Sequence, residues 1–200
     1  MRHSVPEADL LQKIQDGDPR AFDEFVNLYG DRIYGFGLRM CGEREDARDV
    51  VQETLIKAFE SLKTLKEPKA LKSWLYRVAS NACLIKRRKG RFEPQRELSL
   101  EELMPKGAES VAFEVPDHAD LPDDSVARNE TRRAVREAIR SLPPHYRIVL
   151  LLRDIEQLST REASETLGLP ETTIKMRLHR ARLGVRKFLE NGSLPPGDAS

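Results

Sequence analysis

The stretch from Ser159 to Arg182 constrains this chain more than any other. Ser159-Thr-Arg-Glu-Ala-Ser-Glu-Thr-Leu-Gly-Leu-Pro170 runs into Glu171-Thr-Thr-Ile-Lys-Met-Arg-Leu-His-Arg-Ala-Arg182 with almost no linker. Ser159 with Glu162 three residues on is a capping box, which gives the first amides of a helix their partners. Gly168 can adopt the left-handed conformation that ends a helix, and Pro170 suits the first position of the next. In that second helix Ile174, Leu178, Ala181, Val185 and Phe188 fall on one apolar stripe. Thr172, Met176, His179 and Arg180 point the other way, flanked by Thr173, Lys175, Arg177 and Arg182. This reads as a helix-turn-helix whose short polar and cationic side chains suit base edges and phosphates in a major groove. A solvated, salt-laced helix is the competing description. The cationic excess, the turn and the capped helix before it favour nucleic acid.

Charge is segregated along the 200 residues although the net charge is only +1. Residues 96–127 carry 9 acidic side chains against 2 basic ones, and basic units flank them on both sides. That strip, with its prolines and weak periodicity, reads as a linker. The expected organisation is all-α, with two small helical domains joined by a flexible acidic linker. The domains span residues 1–95 and 128–190, the linker 96–127, and a flexible tail 191–200. No stretch approaches a membrane span and the N-terminus leads into no apolar signal core, so a cytoplasmic protein is expected. Cys41 and Cys83 lie in helical patterns beside apolar neighbours. They read as buried reduced thiols; pairing in space or joining histidines around a metal is the alternative, without any Cys-x-x-Cys spacing to support it.

The N-terminal part reads as helices throughout. Asp18-Pro19 suggests a cap with Pro at the first helical position, followed by a stripe of Phe22, Val26, Tyr29, Ile33, Phe36 and Met40 that Gly42 closes. A second stripe, Val51, Leu55, Ala58 and Leu62, starts a helix near Asp46. A third, Leu71, Leu75, Val78, Ala82 and Ile85, ends in the basic run Lys86 to Arg91. A shorter helix is expected over Glu7 to Gln15. The second helix displays Asp46, Asp49, Gln52 and Glu53, and the third displays Lys69, Lys72, Arg77 and Asn81. One face suits a cationic protein and the other nucleic acid, while either also fits a plain solvated surface.

Three segments carry a family resemblance. Asp49-Val-Val-Gln-Glu-Thr54, Ser73-Trp-Leu-Tyr-Arg-Val-Ala-Ser-Asn81, and Leu142-Pro-Pro-His-Tyr-Arg147 ahead of the helix-turn-helix together resemble an extracytoplasmic-function sigma factor, of the sigma-70 family. The resemblance covers both helical units in order. It implies a region 2 domain and a region 4 domain with no region 3, and a non-enzymatic subunit that binds core RNA polymerase, recognises the minus-ten and minus-thirty-five elements of promoter DNA, and promotes opening.

The resemblance also implies site residues. Asp49, Gln52 and Glu53 would dock on the clamp helices of the polymerase beta-prime subunit. The loop and helix start at Leu65, Lys66, Glu67, Pro68, Lys69 and Leu71 would hold a base flipped from the minus-ten strand, with Arg77, Asn81, Lys86 and Arg87 along that strand. This sequence has Leu65 and Leu71 where some relatives carry a stacking aromatic. Trp74, beside the apolar stripe, reads as core. Lys175, Met176, His179 and Arg180 would face the minus-thirty-five element, with Thr160 and Arg161 near the backbone and Thr172, Thr173 and Arg177 beside them. The apolar run Ile148 to Leu152 would form the core of region 4, with part of it near the polymerase beta flap. The acidic strip would thread the polymerase cleft as an RNA mimic, or act only as a spacer. An anti-sigma factor is implied as a further partner; no metal, cofactor or small-molecule substrate is.

The residues offer no catalytic constellation. Ser, His and Asp are scattered without a nucleophile elbow, and no Gly-rich loop cradles a phosphate. A stand-alone regulator with an N-terminal sensor module and a recombinase-like enzyme are the rival classes. The Asp-x-x-Gln-Glu helix argues against the first and the missing catalytic cluster against the second.

Overall fold

The computed structural model describes residues 7–65, 71–86 and 125–190, and the regular structure among them is helical. Helices α1 (Glu7–Gln15), α2 (Ala21–Cys41), α3 (Arg44–Ser61) and α4 (Leu71–Lys86) make the first unit. Helices α5 (Ser125–Ser141), α6 (Pro144–Leu150), α7 (Thr160–Leu167) and α8 (Glu171–Glu190) make the second. A 3-10 turn, Leu62–Thr64, follows α3, and one π-helical turn, Leu151–Ile155, extends α6. Most of the acidic strip lies outside the described residues.

The long helix α2 organises the first unit. Asp18 does not cap it: its side chain accepts from the Arg20 amide at 2.9 Å and its carbonyl from the Ala21 amide at 3.1 Å, so a turn precedes a helix that starts at Ala21. The buried face is Phe25, Tyr29, Ile33, Phe36 and Met40, while Phe22 and Val26 are only half-buried. Gly42 ends the helix at φ 91°, in the left-handed region, with its amide returning to the Leu38 carbonyl.

The helix α3 is rotated from the expected stripe. Ala47, Val50, Thr54 and Ala58 are buried, and Val51 and Leu55 are half-buried. The helix comes close to α2 at one point: a Cβ on Gly37 would stand 3.2 Å from the Ala47 Cα, so the crossing needs a small residue on α2 there. Asp46, expected on the acidic surface, is 2 % exposed.

Helix α4 is buried on two sides. Leu71, Leu75, Ala79 and Ala82 face the first unit's core, Ser73, Tyr76 and Ser80 are covered as well, and Ile85 is exposed. Trp74 packs half-buried against the core, as the sequence suggests. Cys41 and Cys83 are buried thiols in contact, with their Sγ atoms 3.5 Å apart. The second unit centres on Ile148–Leu152, all buried, against Ile174, Leu178 and Ala181 of α8. Its apolar interior is continuous with that of the first unit.

Candidate nucleic-acid interface

The helix-turn-helix forms where the sequence places it. After the π turn, Gln157 takes φ 57°, and its side chain donates to the Asp154 carbonyl at 2.7 Å. The Glu162 amide donates to Ser159 Oγ at 3.2 Å and the Ser159 amide to Glu162 Oε2 at 2.6 Å, completing the capping box. Hydrogen bonding from the Ser159 hydroxyl first, and from its amide second, holds the Glu162 carboxyl below its ordinary range. Gly168 closes α7 at φ 65°. Pro170 lies just outside α8, and its carbonyl accepts the first helical bond from Ile174 at 3.1 Å. Replacing Ser159 with alanine should cost about 1 kcal/mol of stability in urea denaturation. Because the bonded Glu162 has a depressed pKa, the box contributes above the ordinary glutamate range and fades as pH falls through its lowered value. A Ser159→Ala deficit that stayed constant far into acid would contradict this coupling.

The exposed side of α8 sorts its cations into two groups. Arg182 is held by Asp154 through bonds of 2.8 and 3.0 Å, and Arg186 pairs with Glu190 at 2.6 Å. Lys175, Arg177, His179 and Arg180 have no ion pair among the described residues. Lys175, His179 and Thr172 are exposed, Thr173, Arg177 and Arg180 half-buried, and Met176 stands 43 % exposed among them. On α7, Thr160 is half-buried and Arg161 is exposed and paired with Glu165 at 2.9 Å. The N-terminal half of α8 therefore presents concentrated positive charge with an apolar contact at its centre. That combination suits a phosphate-lined groove with base edges at its floor.

On α3, Asp49 and Gln52 are exposed and Glu53 is half-buried, bonded to Lys57 at 2.8 Å. Val51, Leu55 and Ile56 line a shallow apolar hollow with Gly30, Tyr34 and Gln52 beside these polar groups. Ile56 and Phe59 are exposed further along. Asp31 and Arg48 also line it, and polar and charged residues around an apolar hollow are a protein-binding pattern.

The minus-ten candidates divide. Lys66, Glu67, Pro68, Lys69 and Arg87 lie outside the described residues, as does the side chain of Lys86. Leu65 is half-buried, with its carbonyl accepting from Gln15 Nε2 at 2.7 Å. Leu71 is fully buried, so it supports the helix start from beneath and does not present its side chain to a strand. Asn81 and Arg77 are exposed on α4, and the Arg77 guanidinium donates to the Glu165 carbonyl of the other unit at 2.7 Å.

Sequence reasoning missed the groups that join the units. Arg147 donates to the carbonyls of Met40 and Leu142, each at 2.9 Å, and to that of Arg140. The Tyr76 hydroxyl donates to the Glu156 carboxylate, and burial first, then that carboxylate, push its ionisation far above the ordinary phenol range. The Pro-Pro-His-Tyr-Arg147 segment was a visible signal; nothing local marks Tyr76 or Glu156, which are 80 residues apart.

Two family models match the chain: Sigma-70 region 2 over residues 25–93 and Sigma-70, region 4 over residues 132–183. The ECF RNA polymerase sigma factor SigW of Bacillus subtilis is 33 % identical over 181 residues, covering 90 % of this chain and 95 % of SigW. This chain belongs to the extracytoplasmic-function sigma factors. The fold agrees: CnrH, solved with the cytosolic domain of CnrY, superposes with a TM-score of 0.65 at 23 % identity, over 94 % of this chain and 100 % of CnrH. RpoE of Bartonella quintana, solved with the anti-sigma factor NepR, gives 0.60 at 23 % identity, over 87 % of this chain and 99 % of that one. The sigma factor is thus a non-enzymatic initiation subunit that binds core RNA polymerase and directs promoter-specific transcription. Among the described residues, no helix is long and apolar enough to cross a membrane.

Proposed function

We propose that this sigma factor divides initiation among three surfaces. Asp49, Gln52 and Glu53, with the apolar hollow beside them, dock on the beta-prime clamp helices. Arg77 and Asn81 of α4, with the basic residues Lys66, Lys69, Lys86 and Arg87 that flank them in sequence, hold the minus-ten strand. Lys175, Met176, His179 and Arg180 read the minus-thirty-five element. The observation that carries the reading is the contrast along α8, whose distal arginines are neutralised by carboxylates while the cations of its first turns are not. An unneutralised cluster releases counterions from DNA on binding and so favours the complex. Like CnrH and RpoE, which were solved with CnrY and with the anti-sigma factor NepR, the sigma factor is held by an anti-sigma protein. It acts in the cytoplasm, where core polymerase works.

Run-off transcription by reconstituted holoenzyme on a promoter library tests the whole reading, because partner, activity and specificity are scored together. Glu53→Lys tests the docking face alone. The exchange removes the i, i+4 ion pair with Lys57 and sets two lysines in its place, together a local penalty of about 0.4–1 kcal/mol. Core affinity, by anisotropy titration, should nevertheless fall several-fold while helical content is kept. Unchanged affinity would remove the docking assignment.

A further inference from the structure

The chain has two cysteines, 42 residues apart in sequence, and folding brings them together. Cys41 is the last residue of α2 and Cys83 lies in the last turn of α4, with their sulfurs 3.5 Å apart. Cys83 is fully buried and Cys41 is 6 % exposed. Packing alone asks only for two small apolar side chains here. Two thiols in contact bring a chemistry that packing does not use, because they can be joined.

The positions suit that closure. A disulfide requires the sulfurs to move from 3.5 Å to about 2.0 Å. Both residues sit where a helix ends, so the backbone has room to give: α2 stops at Gly42, at φ 91°, and after Cys83 only Leu84, Ile85 and Lys86 remain of α4. Leu84 and Ile85 are exposed, so this end of α4 is thinly covered. Helix ends of this kind open locally more often than helix middles, and an oxidant little larger than water can then reach the pair.

We propose that Cys41 and Cys83 form a peroxide-responsive dithiol, whose oxidation to a disulfide staples α2 to α4 and hardens region 2 against unfolding without changing what it binds. The Cys41 sulfur, the more exposed of the two, attacks one oxygen of hydrogen peroxide as its thiolate. The O–O bond breaks, and the departing hydroxide leaves as water with the proton that the thiol gave up. The Cys83 sulfur then attacks the resulting sulfenic acid: the S–S bond forms, the S–O bond breaks, and a second water carries away the Cys83 proton. Two thiols and one peroxide thus give one disulfide and two waters, and an added dithiol reverses the step. A reducing cytoplasm keeps such a pair as thiols, so the bond forms only when oxidant rises.

The staple acts on the unfolded chain. It closes a loop over residues 41–83, which contains the whole of α3, and so removes conformations that region 2 would gain on unfolding. The folded surface is left alone: Asp49 and Gln52 are exposed on α3, whereas the sulfurs lie in the interior between α2 and α4.

The test exposes the reduced full chain to a small molar excess of hydrogen peroxide and alkylates the remaining thiols with N-ethylmaleimide in denaturant. The expected product is a monomer lighter by two hydrogens and carrying no maleimide, which dithiothreitol returns to the starting mass. Its thermal midpoint by circular dichroism should exceed that of the reduced chain by roughly 5–15 °C. Its affinity for core polymerase should match that of the reduced chain. In Cys83→Ala, dimedone should trap a sulfenic acid on Cys41, whereas Cys83 should stay a thiol in Cys41→Ala. A full chain that keeps both thiols under peroxide overturns the proposal, as do disulfide-linked dimers or sulfinic acids in place of the internal bond. An internal disulfide that leaves the midpoint unchanged or lowers it, or that abolishes core binding, overturns the stapling role.

Discussion

Replacing Phe36 with alanine is expected to destabilise the protein by about 3–5 kcal/mol. Phe36 sits in the middle of α2, fully buried, with its ring 5.4 Å from that of Tyr76 on α4 in an edge-on arrangement. The substitution removes the transfer free energy of the ring and leaves a cavity that helices locked at Gly37 and Ala47 cannot close by moving together, since that contact is already at its limit. It also withdraws support from Tyr76, whose hydroxyl reaches Glu156 across the units. Chemical denaturation followed by circular dichroism checks the value. Phe36→Leu should lose less than half as much, because it keeps most of the apolar volume. Phe22→Ala supplies the contrast: that ring is half-buried and packs at 5.1 Å against the exposed Phe59, so its loss should be well below that of Phe36→Ala. Equal losses at Phe22 and Phe36 would mean that the buried face of α2 is the one the sequence stripe suggests.

That comparison marks where the sequence was legible. Helix existence, the capping box at Ser159 and the left-handed Gly42 and Gly168 could be read because each depends on neighbours within a few positions. Which line of a helix faces inward could not always be read. On α3 the buried line is Ala47, Val50, Thr54 and Ala58, with Ala47 against Gly37 of α2, while Val51 and Leu55 are only half-buried; that choice depends on where the partner helix lies and is invisible in hydropathy. Tyr76 and Ser73 are covered because a second unit, beyond the acidic strip, lies on them, and no periodicity within α4 encodes that. The exposed side of α8, with Lys175, Met176 and His179, was readable from the helical period. The split between its paired and unpaired cations depends on Asp154, which reaches Arg182 from outside the helix.

Arg180→Ala is expected to weaken binding of minus-thirty-five duplex by about 1–3 kcal/mol and to relax base preference at one position. The side chain is half-buried at the edge of the recognition face and lacks an ion pair among the described residues, so no internal carboxylate must be displaced before it meets DNA. The exchange should leave folding nearly untouched, because Leu178 and Ala181 on either side carry the packing. Arg182 is the internal control. Its guanidinium is already engaged twice by Asp154, whose bonds stabilise the charged form, so Arg182→Ala should cost fold stability more than DNA affinity. Salt titration separates base reading from phosphate contact: loss of a phosphate-bound cation lowers the salt slope by about one for every sequence, whereas loss of a base contact leaves the slope and erases discrimination. Binding of wild type and Arg180→Ala to a set of duplexes varied singly across the element would show which applies. If affinity, slope and base preference all match wild type, Arg180 does not face the promoter and the recognition surface must be redrawn around Lys175 and His179.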